Sequence, residues 1–170
     1  MPVRPTPDAL RERAFAVLGD AVGGASFLDL FAGTGAVGLE ALSRGARSAV
    51  FVERHRGTAR IIKNNCAAFQ LGDDQARILV QPASAAVSHL ARRGETFDLV
   101  WADPPFENWE EGLDALIGAF TTGLMAPDAI GCLECPEHAA IGKKPSDRLE
   151  VFRDLGGSAS RVVLMQRSSD

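Results

Sequence analysis

Residues 27–42, FLDLFAGTGAVGLEAL, are the stretch that decides the fold. The stretch begins as an apolar run of strand length, passes through a glycine-rich loop, and ends with the apolar spacing of a helix. Gly33, Gly35 and Gly38 satisfy the spacing G-x-G-x-x-G, which favours a nucleotide bound at a strand-to-helix turn. The same spacing also occurs where glycines only allow a strand and a helix to pack closely, so the neighbouring residues must separate the two interpretations.

After the amino-terminal segment the chain alternates between apolar runs and helix-like segments. The predicted strands are residues 26–31, 48–53, 76–81, 97–102 and 129–134, and the predicted helices between them are Ala36–Arg44, Thr58–Phe69, Ala85–Arg92 and Trp109–Phe120. Apolar strands separated by helices indicate an α/β fold in which helices cover both faces of a parallel sheet. Two last strands, 148–155 and 160–167, flank a short glycine-containing loop and predict an antiparallel β-hairpin.

The amino-terminal residues predict a helix before the first strand. Thr6 is placed as its N-cap and Pro7 as its first residue, positions that these residue types favour. A length of 170 residues suits one domain. We therefore expect a single domain over residues 1–170, with a helical segment at 1–20 and a Rossmann-like core at 21–170.

Composition limits the classes of function. The chain is 46% hydrophobic and 24% charged, which favours a globular fold over a disordered chain. No apolar run approaches the ~18 residues of a membrane span, and no secretory signal is visible. Three cysteines favour a reducing compartment, so we expect a cytoplasmic protein with no membrane association. The net charge of −4 argues against a broad nucleic-acid footprint but allows a local basic groove, and Arg54, Arg56 and Arg60 do cluster.

Cys132, Cys135 and His138 suggest a metal site, but the strand prediction opposes it. Side chains three residues apart in a strand point to opposite faces, so the two thiols cannot converge on one ion. We therefore predict buried cysteines and no metal, and we expect Trp101 to belong to the core.

Two carboxylates near the glycine loop favour S-adenosylmethionine over a dinucleotide. Asp29 lies near the end of the first strand, where it suits an amino-acid ammonium group better than a phosphate. Glu53 closes the second strand and can accept hydrogen bonds from both hydroxyls of an unphosphorylated ribose. Gly33 and Gly35 carry no side chain that would keep the backbone away from such a ligand.

The fourth predicted strand ends abruptly in Asp103-Pro104-Pro105-Phe106. The Asp103 carboxylate and the Pro104 carbonyl can accept both N–H bonds of a planar amine, which localises the nitrogen lone pair for attack on a methyl group. The prolines fix the backbone and contribute no N–H donors. Phe106 offers a face for stacking a base, an interaction worth about 1–3 kcal/mol. Taken alone, DPP is also an ordinary strand terminator.

These residues resemble the RsmD-type family of 16S rRNA guanine-N2 methyltransferases, which are class I S-adenosylmethionine-dependent methyltransferases. The resemblance rests on residues 4–15, 27–46, 50–65 and 103–106. It implies a Rossmann-like, seven-stranded, mostly parallel sheet of order 3-2-1-4-5-7-6 with a carboxyl-terminal antiparallel hairpin. It also implies S-adenosylmethionine as methyl donor, the N2 amine of a guanine as acceptor, and 16S rRNA or the small ribosomal subunit as partner.

The predicted site has three parts. The catalytic loop consists of Asp103, Pro104, Pro105 and Phe106. The cofactor is assigned to Asp29, Phe31, Ala32, Gly33, Thr34, Gly35, Glu53 and Arg54, with Ser84 and Ala85 near the adenine. The resemblance implies that Arg4, Thr6 and Arg11 shape the substrate entrance. Trp109, just after the catalytic loop, is also assigned to this entrance, although it fits a role in covering the sheet equally well. We expect the protein to be a monomer.

Three other functions remain open at this point. The first is methyl transfer to a different planar nitrogen, on a DNA or RNA adenine or a protein glutamine. The second is a non-catalytic domain that holds the cofactor for a partner protein. The third is an NAD-linked oxidoreductase, to which the glycine spacing alone also points.

Overall fold

A seven-stranded sheet organises residues 7–169, the part of the chain that the computed structural model describes. The strands are β1 (Ser26–Asp29), β2 (Ser48–Val52), β3 (Ala76–Leu79), β4 (Phe97–Ala102), β5 (Met125–Pro136), β6 (Leu149–Gly156) and β7 (Ser160–Arg167). They lie in the order β3-β2-β1-β4-β5-β7-β6. The pairs from β3 to β5 are parallel, whereas β7 runs antiparallel to both β5 and β6. The predicted strand order and the predicted terminal hairpin are both confirmed.

Helices cover both faces of the sheet, as predicted. They are α1 (Pro7–Leu18), α2 (Ala36–Ser43), α3 (Arg56–Ala68), α4 (Ala83–Arg92) and α5 (Trp109–Thr121), with short 3₁₀ turns at Gly19–Ala21 and Phe106–Asn108. Apolar residues of α1, α2 and α3 pack in one core cluster, and those of α4 and α5 pack in another. The two clusters lie on opposite faces because successive strand side chains alternate between them.

Helix α1 is fastened over the centre of the sheet by aromatic packing. Trp101 of β4 is fully buried, as expected, and Phe15 of α1 stacks on it with ring centroids 5.7 Å apart. Phe15 also stacks on Phe27 of β1, at 6.4 Å. Residues four apart in a helix share one face, so this packing carries Arg11 to the carboxyl ends of the same strands.

Two local details refine the sequence prediction. Strand β5 begins at Met125, earlier than predicted, because Met125 pairs with Phe97 ahead of a register shift that interrupts the ladder. Cys132 and Cys135 are buried in separate clusters on opposite faces. Within residues 7–169, no helix combines the length and the apolar character that crossing a membrane requires. The predicted N-cap Thr6 and the substrate residue Arg4 lie outside the described residues.

Candidate active site

A cleft of about 1040 Å³ opens at the carboxyl ends of the parallel strands. Its walls include Leu30 after β1, Glu53 after β2, Gln81 after β3 and Asp103 after β4. This is the edge of an open α/β sheet at which ligands bind. The volume is large enough for a ligand the size of a nucleoside joined to an amino acid.

Most of the predicted site residues line this one cleft. Of the predicted cofactor residues, those that line it are Phe31, Gly33, Glu53, Arg54 and Ser84. The whole predicted catalytic loop, Asp103-Pro104-Pro105-Phe106, lines it as well. The structure therefore brings together two sequence segments that were assigned to one site on different chemical grounds.

The other predicted residues lie beside the cleft and not in its wall. Asp29 at the end of β1 and Ala32 and Gly35 of the glycine loop are buried, while Thr34 of the loop and Ala85 of α4 are exposed away from the cleft wall. Trp109 is partly buried and packs against the apolar cluster of α4 and α5, so its place at the substrate entrance stays a prediction. Residues that sequence reasoning missed but that line the cleft include His55, Gln81, Asn108 and Glu111. They carry no recognisable motif and reach the cleft because they follow the strand ends.

The glycine loop needs its glycines for two separate reasons. Gly33 and Gly35 adopt the left-handed region, with φ of +57° and +88°, which favours glycine. Around Gly33 the space is open, so the backbone is accessible to a ligand. At Gly38 a Cβ would lie 2.4 Å from a ring carbon of Phe51, so this glycine is required for close packing of α2 on β2.

Two carboxylates hold the loop in shape. Asp29 Oδ2 accepts a hydrogen bond from the Gly38 N–H at 3.1 Å. Glu53 accepts hydrogen bonds from the N–H groups of Gly33, at 3.0 Å, and His55, at 3.2 Å. Glu53 also lines the cleft, whereas Asp29 is only 1% exposed. Burial raises the pKa of Asp29 to about 7, although the hydrogen bond from Gly38 opposes the rise.

The catalytic loop is held rigidly at its base and left open at its tip. Pro104 is buried against Gly112 of α5, where an added Cβ would lie 2.6 Å from the Pro104 Cγ. The Pro105 carbonyl accepts a hydrogen bond from the Asn108 N–H at 2.9 Å, which ties the loop to the 3₁₀ turn that follows it. The Phe106 side chain is half exposed at the cleft wall, where a base can stack on it.

Arg11, predicted at the substrate entrance, does not line the cleft but lies in a charged cluster with Asp103 and Glu134 that sequence reasoning did not find. Arg11 of α1 places Nη2 3.8 Å from Asp103 Oδ2 and Nε 3.8 Å from Oε2 of Glu134, a buried residue of β5. Burial raises the pKa of Asp103 above its ordinary value, and Arg11 opposes that rise. Burial, followed by the charge of Asp103, raises the pKa of Glu134 to about 8. The available signal was a glutamate that closes the predicted apolar run 129–134.

This geometry suits group transfer between two organic molecules. One side of the cleft presents the open backbone at Gly33 of the glycine loop and the carboxylate of Glu53, which follows β2. The other side presents the carboxylate of Asp103 and an exposed aromatic ring. Such a cleft can hold a donor and an acceptor in alignment, and alignment alone accounts for a large part of the rate of a bimolecular reaction.

Comparison with known proteins agrees with this interpretation. The family model described as Conserved hypothetical protein 95 matches residues 1–164. Ribosomal RNA small subunit methyltransferase D of Escherichia coli K12 is 41% identical over 147 residues, which are 85% of this chain and 70% of that protein. The solved structure of yhhF from Escherichia coli is 31% identical, with a TM-score of 0.79 over 99% of this chain and 89% of the other.

More distant structures share the fold alone. The solved complex of SMU.776 with SAH has a TM-score of 0.68 at 14% identity, over 91% of this chain and 48% of the other. Together, the family model and the Escherichia coli relative confirm the resemblance that the motifs indicated. The chain thus belongs to the Conserved hypothetical protein 95 family, the methyltransferase family of ribosomal RNA small subunit methyltransferase D.

Proposed function

We propose that this methyltransferase moves the methyl group of S-adenosylmethionine to the exocyclic N2 amine of a guanine in 16S rRNA. The observation that carries the proposal is the meeting of the glycine loop, Glu53 and the Asp103–Phe106 loop in one cleft. The name of the Escherichia coli relative supports ribosomal RNA of the small subunit as the substrate.

The residues of the cleft fit S-adenosylmethionine. Gly33 has a left-handed backbone with open space where a side chain would otherwise stand. Glu53 keeps its carboxylate at the wall, where ribose hydroxyls can donate to it. Asp29 Oδ1 is buried without a hydrogen-bond partner among residues 7–169, so the end of β1 retains an unused acceptor that would suit the ammonium group of the cofactor. When bound, the cofactor supplies a methyl group that its sulfonium makes electrophilic.

The catalytic loop prepares the acceptor nitrogen. Asp103 and the Pro104 carbonyl accept the two N–H bonds of the guanine amine, so the lone pair withdraws from the ring and points towards the methyl carbon. Phe106 stacks on the extruded base and contributes about 1–3 kcal/mol to binding. After transfer the methylated nitrogen is cationic and acidic, and it releases one proton to an Asp103 oxygen or to water.

A basic surface beside the cleft supports a polyanionic substrate. Arg54 lines the cleft, and Arg56, Arg60 and Lys63 follow on exposed positions of α3. Helix α3 contains no acidic residue, and none of these four cations forms an ion pair within residues 7–169. In a chain of net charge −4, this concentration of unpaired positive charge fits the phosphates that flank an extruded guanine.

Methyl transfer from labelled S-adenosylmethionine to naked 16S rRNA and to small ribosomal subunits tests the proposal. The wild type is expected to label at least one of them, and nuclease digestion with mass spectrometry is expected to find N2-methylguanosine. The Asp103→Ala variant is expected to lose the label, while Glu110→Gln, a change at an exposed position of α5, keeps it. Label on adenine or on protein would replace the guanine assignment with another planar nitrogen.

We also infer a cytoplasmic monomer that needs no metal ion. A single chain supplies both the glycine loop and the catalytic loop, so the cleft is complete without a second copy. The sulfonium already makes the methyl group electrophilic, so the reaction does not call for a Lewis acid. Sedimentation of the active protein checks that it is a monomer, and assays with a chelator check that it needs no metal ion.

A further inference from the structure

We propose that Glu134 is a positioning residue for Asp103: the two carboxyl groups share one proton beneath Arg11, and Glu134 donates the hydrogen bond that keeps Asp103 an acceptor. The part of this inference that concerns catalysis rests on the proposed function. The inference about the shared proton rests on the arrangement of charges at the ends of the central strands.

Three carboxyl groups meet on adjacent strands at the same end of the sheet. Asp29 ends β1 and pairs in register with Trp101, and Asp103 comes directly after β4. Ala102 pairs with Leu133, so Asp103 and Glu134 are the next residues on their two strands. Asp29 is 1% exposed and Glu134 is 4% exposed, whereas the Asp103 side chain keeps 29% exposure at the cleft.

One arginine compensates these charges. Arg11 is the cation that lies within 4.0 Å of Asp103 and Glu134 among residues 7–169, and each contact measures 3.8 Å. Arg11 is also shared with the exposed Asp8, at 3.3 Å. Within the described residues, the small groove that Arg11 and Asp8 line also contains Glu12 of α1 and the ion pair Glu40–Arg44 of α2. Across β5, the register partner of Glu134 on β7 is the uncharged Val162.

Burial decides which carboxyl group keeps a proton. Carboxyl groups that meet at one strand end in a poorly solvated site do not all ionise, because their negative charges repel one another. Asp29 has the Gly38 N–H as a donor, while Glu134 Oε2 and Arg11 Nε have no hydrogen-bond partner within residues 7–169. Of the two carboxyl groups beneath Arg11, the more deeply buried Glu134 therefore holds the proton and donates it towards Asp103, whose pKa is lowered by that hydrogen bond.

The consequence for the reaction is a prepared acceptor. Asp103 accepts an amine N–H most strongly when it is ionised, yet its own burial works against ionisation. A neutral Glu134 donates to Asp103 without adding negative charge, and it fixes the orientation of the carboxylate. When Glu134 itself ionises, near pH 8, the hydrogen bond becomes a repulsion and Asp103 is displaced from the amine.

Carbon-13 NMR of glutamate-labelled protein tests the inference without any substrate. The signal that disappears in Glu134→Gln identifies the Glu134 carboxyl, and it is expected to titrate above about pH 7. Titration near the ordinary glutamate value would overturn the proposal. This measurement needs no methyl transfer, so its outcome does not depend on the proposed function. If the proposed function alone is wrong, Glu134 titrates as expected but the protein does not methylate RNA.

Activity against pH provides the second readout. The wild type is expected to lose kcat/KM above about pH 8, and Glu134→Gln, which keeps a neutral donor, is expected to lose that decline. Glu134→Leu removes the donor and is expected to lower kcat at least about tenfold with unchanged KM for the cofactor. Glu137→Gln, an exposed neighbour, is the matched control with the wild-type profile. Identical pH profiles for wild type and Glu134→Gln would overturn the positioning role, even if Glu134→Leu fails to fold.

Discussion

Replacing Asp29 by asparagine is expected to make the stability of the folded protein less sensitive to pH. The pKa of Asp29 is raised from 3.8 to about 7 in the folded protein, chiefly because the carboxyl is fully buried. A raised pKa means that folding favours the protonated form. The stability from this site is therefore fully present below about pH 4 and is lost as the pH rises through about 7.

The size of the effect follows from the two pKa values. One pKa unit corresponds to ~1.4 kcal/mol, so the wild type loses roughly 3 kcal/mol from this site between about pH 5 and about pH 8. Asparagine cannot ionise, and its side-chain oxygen still accepts the hydrogen bond from the Gly38 N–H. Relative to the wild type, the free energy of unfolding of Asp29→Asn is therefore expected to rise by roughly 3 kcal/mol over that interval.

Urea denaturation of both proteins without cofactor, at about pH 5 and about pH 8, measures this difference. Other titrating groups are common to both proteins and cancel when the two are compared. Asp73→Asn, at an exposed loop position, is the control and should follow the wild type at both pH values. If the difference in the free energy of unfolding between Asp29→Asn and the wild type is the same at both pH values, the pKa of Asp29 is not raised by folding.

One single variant tests the catalytic loop, and one double variant tests the basic surface. Gly112→Ala places a Cβ 2.6 Å from the Pro104 Cγ. Urea denaturation should therefore show a free energy of unfolding lower by about 1–3 kcal/mol, and activity assays should show a reduced kcat. In the control Gly118→Ala the nearest contact of the added Cβ is at 3.8 Å, so neither loss is expected. The double change Arg56→Gln and Arg60→Gln should weaken binding to a single-stranded 16S rRNA fragment and leave cofactor affinity unchanged. The slope of log K for RNA binding against the logarithm of the salt concentration should become shallower by about 1.4. An unchanged slope would show that α3 does not belong to the RNA-binding surface.

The fold could be predicted because its signals are local. Most of the parallel strands are short apolar runs, and burial on both faces makes such a run continuous, as at residues 49–52 of β2. The early start of β5 escaped prediction because Pro127 and Asp128 are exposed and interrupt the apolar pattern. Strand pairing, which no local pattern reports, extends β5 back to Met125.

The site was predicted where a motif marks a strand end and missed where the contact is long-range. Asp103 and Glu53 each close an apolar run, and both line the cleft. Asp29 also closes a run, but its carboxylate lies beneath the glycine loop, so direct contact with the cofactor stays a prediction. The approach of Arg11 to Glu134 depends on how α1 packs across the sheet, which the sequence does not encode in any short stretch.

The central claim is that one part of the cleft holds the methyl donor while Asp103 holds the acceptor amine. Calorimetric titration of S-adenosylmethionine into wild type and Asp103→Ala, paired with single-turnover methylation of 16S rRNA by both proteins, tests it most directly. The account predicts cofactor affinities within about threefold of each other and a fall in the methylation rate of about 10²-fold or more. Methylation at the wild-type rate, or a loss of cofactor binding as large as the loss of rate, would contradict it.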